Sequence, residues 1–308
     1  MKKMFILAII AVVMISGCIS QSSNGNVIAS GGSGLEISDF SLDKSEVYGG
    51  QSLHPQITLE NLGQDDVFKD VTFAMLIAPS DWKFIAGPSG ALPKEKNKVA
   101  LSRNLRAANP TTGASSEFTT LRWTIEAPEL DKGDERSDSM FAKIYYSYGT
   151  ESKGKILLYP EAERDDPNKK TSSDSFVTST GPIDLSVSVI PDPAMAEYVG
   201  EYIMLEIVVT NIGDGTAYSQ GIITQNNFSI SENQRNNISI NVRPAGTTLQ
   251  VMNNSCPTEA HLVDGTATIA CDLNITKALD TKESIPITIE AAYGYTIEDE
   301  IDVTILGR

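Results

Sequence analysis

The chain has 308 residues, with 24 Lys and Arg against 40 Asp and Glu, a net charge of −16, and two histidines. Charge of that sign excludes a nucleic-acid binder or a coat on an anionic membrane surface, since both need clustered Lys and Arg. The acidity is uneven: from Pro182 onward five basic residues stand against seventeen acidic ones, which reads either as a solubilising surface or as steering toward a cation or a basic partner.

In chain order, Lys2 and Lys3 precede an apolar run from Met4 to Met14, and Ile15-Ser16-Gly17 leads into Cys18. The run is shorter than the roughly 20 residues that a membrane-crossing helix needs. Two lysines, an apolar stretch and a cysteine after small residues resemble the lipobox of prokaryotic lipoproteins. That resemblance implies that residues 1–17 are a removable signal peptide and that the Cys18 sulfur carries lipid, anchoring the protein to the cell membrane on its extracellular side. Residues 18–34 are mostly Ser, Gly and Asn. They cannot bury enough apolar surface to pack and read as a flexible tether.

From Leu35 the apolar residues alternate with polar ones: Leu53, Pro55, Ile57 and Leu59, then Val71, Phe73, Met75 and Ile77, then Leu121, Trp123 and Ile125, then Met140 through Tyr148. Alternation broken by turn residues predicts strands buried on one face, stacked as antiparallel sheets. Tyr145 falls on the opposite side from Tyr146 and Tyr148, which leaves that side of its strand open. A second stretch of low hydrophobicity, 161–181, reads as a linker between a first sandwich at 35–160 and a second at 182–308. There Leu185, Val187 and Val189, Ile203 through Val209, Ile285 through Tyr293, and Ile301 through Ile305 repeat the pattern. The halves read as copies: Glu60-Asn61-Leu62-Gly63 answers Thr210-Asn211-Ile212-Gly213, and Ile144 to Ile156 answers Ile289 to Ile301 at a constant offset of 145. The predicted fold class is therefore all-β, two tandem antiparallel β-sandwich domains.

Of three cysteines, Cys256 and Cys271 flank Asp264-Gly265, a dipeptide suited to a two-residue hairpin turn. Folding back there brings the sulfurs together, although Cys256 sits about two residues out of register. An exported location permits the disulfide. A pair of buried free thiols is the alternative.

Asp184-Leu185-Ser186-Val187, Gly200, and Val209-Thr210-Asn211-Ile212-Gly213 running to Ala217 resemble the CARDB-type, immunoglobulin-like modules of archaeal and bacterial surface proteins. The first half resembles them more loosely, through Asn61-Leu62-Gly63, Ala78-Pro79-Ser80-Asp81-Trp82 and Trp123 to Pro128. The resemblance implies a sandwich fold and a surface setting, with adhesion suggested by the family's name. It brings no catalytic residues.

Chemistry-bearing residues are sparse. His54 and His261 lack neighbouring His or Cys at zinc spacing and lack a Gly-x-Ser-x-Gly elbow. Glu298, Glu300 and Asp302 would share one strand face, read either as a charged edge that repels other strands or as a cation site; calcium is the candidate, without an EF-hand loop. Trp82 follows a turn and reads as a plug over strand ends or as a ligand platform. Asn227, Asn237, Asn253 and Asn274 each open an acceptor triplet for N-glycosylation. These features describe a non-enzymatic envelope lipoprotein that serves adhesion, interaction or surface assembly with an extracellular protein or glycan partner and without a cofactor. The alternative is a carbohydrate- or calcium-dependent binding accessory beside a transporter or hydrolase.

Overall fold

Val, Ile and Thr dominate the alternating segments, and such side chains suit a pleated, half-buried surface. The structure, a computed structural model, describes residues 34–308 apart from 89–90, 93–94, 110–111, 226 and 253–254. The first half contains β1 (Leu35–Leu42), β2 (Glu46–Tyr48), β3 (Ser52–Leu53), β4 (Pro55–Asn61), β5 (Phe73–Ile77), β6 (Lys83–Ala86), β7 (Ala91–Leu92), β8 (Glu95–Ala100), β9 (Phe118–Arg122), β10 (Thr124–Glu126) and β11 (Glu135–Tyr159). The second contains β12 (Val177–Thr178), β13 (Ile183–Ile190), β14 (Ala194–Met195), β15 (Tyr202–Asn211), β16 (Thr216–Tyr218), β17 (Asn237–Pro244), β18 (Leu249–Val251), β19 (Glu259–His261), β20 (Thr266–Ile275) and β21 (Glu283–Leu306). Helical structure among the described residues is limited to short 3-10 turns, so the fold is all-β.

Two strands organise everything else. β11 and β21 are 25 and 24 residues long, against roughly 3–10 for ordinary strands. They pair antiparallel from Glu135↔Leu306 to Leu158↔Glu283. At the centre of an 11-stranded sheet, they carry β5, β8 and β7 on one flank and β17 and β19 on the other. Each long strand begins in its own half and ends in the other. The N-terminal part of β11 and the C-terminal part of β21 serve a first lobe, closed by the sheet β1-β4-β9, and their other ends serve a second lobe, closed by β13-β15-β20-β18. One hydrophobic cluster runs through both lobes, from Ile57, Leu59 and Trp123 through Ile144 and Ile289 to Ile207 and Leu273.

The halves do correspond. Leu35↔Asn61 on β1 and β4 matches Ile183↔Asn211 on β13 and β15, and β2 runs parallel to β21 as β14 runs parallel to β11. Of residues 161–181, expected as a linker, 172–179 lie along β11, while 161–170 are mostly exposed. Ser172 is fully buried, and Val177 and Thr178 pair with Lys153 and Ser152.

Asp264 and Gly265 adopt positive φ values of 51° and 81°, the two-residue turn that their chemistry predicts, with Val263 and Thr266 exchanging both backbone bonds. The hairpin does not continue, because β19 joins the central sheet and β20 the opposing one. The Cys256–Cys271 disulfide forms all the same, since the loop after β18 folds onto β20 and Ser255 Oγ donates to the Asp272 carbonyl at 3.2 Å. Replacing both cysteines by serine is expected to lower stability by about 3 kcal/mol through lost loop-closure entropy, measured as a shift of the urea midpoint.

Candidate functional site

Where the lobes meet, Tyr146, Tyr148, Tyr293 and Tyr295 point to one side of the β11–β21 pair, their rings in tilted or edge-to-face contact at 5.8 to 6.3 Å. Tyrosine suits this place because its ring fills apolar volume while its hydroxyl can satisfy loop backbone that no ladder reaches. Tyr148 Oη accepts from Asp65 N–H at 3.0 Å, and Tyr295 Oη accepts from Gly215 N–H at 3.0 Å while donating to Asn211 Oδ1 at 2.8 Å. Tyr146 Oη donates to the Leu35 carbonyl at 3.4 Å. Tyr293 Oη bonds Thr150 Oγ1 at 2.8 Å, which in turn donates to the Ile183 carbonyl. These matched contacts place Tyr148 opposite Tyr295 and Tyr146 opposite Tyr293 in the duplication, an offset of 147. The sequence offset of 145 is two residues out; a shift of two preserves the face and so leaves no trace in the alternation. Burial pushes Tyr295 up to about 12 and raises the other three further, so all four are neutral hydrogen-bonding groups at physiological pH.

The Asn-x-Gly motifs are the loops that these tyrosines hold. Asn61 is fully buried; its Nδ2 donates to the carbonyls of Asp65 and Leu105, both at 2.9 Å, and its Oδ1 accepts from Gly63 N–H at 3.2 Å. Asn211 repeats the arrangement, with Gly215 and Gly213 as partners.

A cleft opens beside each loop. One, of 540 Å³, lies between the start of β1, the 212–214 loop and Ile297 to Asp299 of β21. The other, of 720 Å³, is floored by the small residues Ser147, Gly149 and Ala292 and walled by Phe68 and Val71, with Asp65 on its rim. Phe68 is 54% exposed. Burial, then the neighbouring Glu151 and Asp66, raise the Asp65 carboxyl above its usual range.

Of the candidate site residues singled out in the sequence, Glu298 lines the 540 Å³ cleft and no other lines either one. Trp82 is no platform. It is 4% exposed, with its indole N–H donating to Asp138 Oδ2 at 2.7 Å and Arg136 bridging Asp138 and Asp81, because the preceding turn folds it over the strand ends. Tyr145 is equally buried: the loop between β16 and β17 crosses the sheet there, and Phe228 packs edge-on against both Phe73 and Tyr145. Glu298, Glu300 and Asp302 are exposed along β21, with Glu298 bridged to Lys143 at 2.9 Å and Asp302 accepting from Ser139 at 2.6 Å. Among the described residues no group of three or more His, Cys, Asp or Glu is placed to hold a metal ion. His54 is bonded to Asp43 and His261 to Asn237. Asn227 is exposed, whereas Asn237 and Asn274 are half-buried on β17 and β20. Cys18 and Asn253 lie outside the described residues.

No protein-family model matches the chain, and no curated protein is similar to it. Among solved structures it is similar to the secreted serine protease VesC from Vibrio cholerae, at 9% identity and a TM-score of 0.20, over 85% of this chain and 49% of that one. It is also similar to a Salmonella alpha-2-macroglobulin, at 10% identity and 0.22, over 87% of this chain and 16% of that one. A third likeness is the collagen binding domain of the Erysipelothrix rhusiopathiae surface protein RspB, at 8% and 0.16, over 89% and 94%. The chain spans about half the length of the protease and a small part of the macroglobulin. Likeness at this level carries no argument about what the chain does.

Asn61→Ala is expected to cost about 2–3 kcal/mol, because it strands buried backbone groups; Asn211→Ala, in a partly exposed loop, should cost about 1 kcal/mol by the same urea measurement. Asp65→Asn tests the cleft's charge. A raised folded-state pKa means that the ionised carboxylate opposes folding, a penalty absent below its unfolded value of 3.8 and growing as pH rises through the folded value. The variant should therefore melt higher than wild type at pH 7 and match it near pH 3.

Proposed function

We propose that this protein is a lipid-anchored, non-enzymatic binding protein of the cell envelope that presents two joined β-lobes to an extracellular partner, in adhesion or surface assembly. The observation that best supports this reading is the shared sheet: β11 and β21 each enter both lobes, so the lobes form one rigid body with a fixed relative orientation. A rigid body on a lipid anchor holds its partner-binding surface at a set reach and so raises the effective concentration of the encounter. Anchoring follows the Cys18 reading, in which each buried lipid methylene contributes about 0.8 kcal/mol. The Cys256–Cys271 disulfide suits an oxidising location. Both histidines are engaged by a single polar neighbour on the surface, an arrangement that supports structural roles.

A second reading, glycan capture, draws on one specific feature. The 720 Å³ cleft sets the exposed Phe68 ring beside Gln64, Asp65 and Gln220, an aromatic face with polar groups at its edge. In this reading the cleft, and not Trp82, supplies the ligand platform. Calcium gains no support of its own.

Crosslinking on intact cells followed by mass spectrometry tests the proposal. The expected result is a mature polypeptide that begins at an acylated Cys18 and is crosslinked to an extracellular protein or glycan. Recovery of an intact initiator Met with reduced Cys256 and Cys271 in the cytosol would overturn it.

A further inference from the structure

The outer face of the β13-β15-β20-β18 sheet changes character along its length. Toward the waist it carries Ser186, Ser188, Glu206 and Thr268, the polar surface that suits the solvent side of an antiparallel sheet. At the tip of the second lobe the register sets Ile190 beside Met204 and Met204 beside Asp272. Met252 comes next, its N–H donating to the Asp272 carbonyl at 3.0 Å. The following row holds Tyr202, Asn274 and Gln250 side by side. Tyr202 is 64% exposed, and Ile190 and Met252 are exposed as well. Apolar side chains gathered on an outer sheet face mark a surface that something else covers.

Asn274 stands within this face and opens the triplet Asn274-Ile275-Thr276. The acceptor asparagines that the structure describes differ in what their amides do. Asn237 Nδ2 donates to the Asn233 carbonyl at 3.1 Å, and its Oδ1 bonds His261 Nδ1 at 2.7 Å. Asn227 Nδ2 donates to the Ile222 carbonyl at 3.2 Å, and its Oδ1 accepts from Ser229 N–H at 3.0 Å. Among the described residues nothing hydrogen-bonds the Asn274 amide, and the amide is not buried. It faces solvent.

We propose that Asn274 carries an N-linked oligosaccharide that lies across Tyr202. Residues directly opposite on antiparallel strands have Cβ atoms about 5 Å apart, so the first sugar on Asn274 reaches the Tyr202 ring. That ring offers a flat apolar face and a polar hydroxyl, which suit a sugar's C–H and O–H groups. Past Tyr202 a hollow of 440 Å³, bordered by Pro191, Met195 and Glu201, continues the path for further sugars. In the attachment step Asn274 Nδ2 bonds to the anomeric carbon of a lipid-linked glycosyl phosphate. The bond from that carbon to the phosphate oxygen breaks, the phosphate leaves with the electron pair, and one amide proton is lost to solvent. In the folded chain the Thr276 hydroxyl, the third member of the triplet, donates to the Thr247 and Thr248 carbonyls, so transfer precedes the closing of that loop. The proposal rests on the envelope reading, because acceptor triplets are used in secreted chains.

Peptide mass spectrometry on protein taken from its own cells tests it, with the N-terminal peptide read from the same sample. The expected result is a glycan mass on Asn274 in chains that begin at acylated Cys18. Acylated Cys18 with bare Asn274 sinks the glycan alone and leaves the apolar face to a protein partner. An intact initiator Met with bare Asn274 sinks the envelope reading too. Nitration by tetranitromethane tests the packing, with Tyr48 of the first lobe, 46% exposed, as internal reference. Tyr202 in the glycosylated protein should react at least about fivefold more slowly than in Asn274→Gln from the same cells, since a bulky glycan shields the ring. Wild type made in a host without N-glycosylation should match the variant, which separates the sugar's effect from that of the substitution. Equal Tyr202 reactivity in all three would overturn the covering of this face.

Discussion

The antiparallel ladder between β11 and β21 is the constraint on which the rest of the structure depends. Without it β5 and β8 have no central strand to join in the first lobe, and β17 and β19 have none in the second. Because the same two strands continue from lobe to lobe, the apolar face of one lobe leads into that of the other, and the buried residues form one cluster. Opening either lobe exposes part of the other's core, which couples their stabilities.

A continuous sheet creates a problem where it passes from one lobe to the next. The opposing sheets end there, and their terminal loops bring backbone N–H and C=O groups into a buried region. Two devices answer it in both halves. An asparagine bonds its own loop through Oδ1 and Nδ2, and a tyrosine on a long strand supplies a hydroxyl to an N–H that the asparagine does not reach. Asn-x-Gly is thus a loop lock attached to the shared sheet. The tyrosines make this a polar seam inside an apolar waist, and their hydroxyls fix how the loops sit on the ladder.

The 172–179 stretch shows that low hydrophobicity does not mean an unpacked segment. Its serines bond β11 through side-chain hydroxyls where a strand would use backbone groups, and the Asp192 carboxylate gathers Ser172 N–H, Ser173 N–H and Ser173 Oγ within 2.9 Å. Such a segment gains stability from hydrogen bonds that carry no apolar period, so hydrophobic patterning misses it. The same reasoning explains Trp82 and Tyr145. Each is apolar enough to serve a ligand, and each is covered by a neighbour distant in sequence, Asp138 or Phe228.

The amino-acid sequence by itself determined the long strands, the Asp264-Gly265 turn, the partnership of Cys256 with Cys271 and the correspondence of the halves, because alternation and turn chemistry are local properties read at a period of two; on β5 it pointed to the wrong face, since Ala74 and Leu76 enter the main core while Val71 and Ile77 are exposed. Tertiary structure alone decided that β11 pairs with β21 across both lobes, that the true offset is 147, and that clefts open beside the two loops. Pairing partners and cleft walls come from residues more than a hundred positions apart, as Tyr148 and Tyr293 are. A two-residue slip keeps every side chain on its face, so nothing along the chain distinguishes one register from the next until the tyrosine hydroxyls meet their loops.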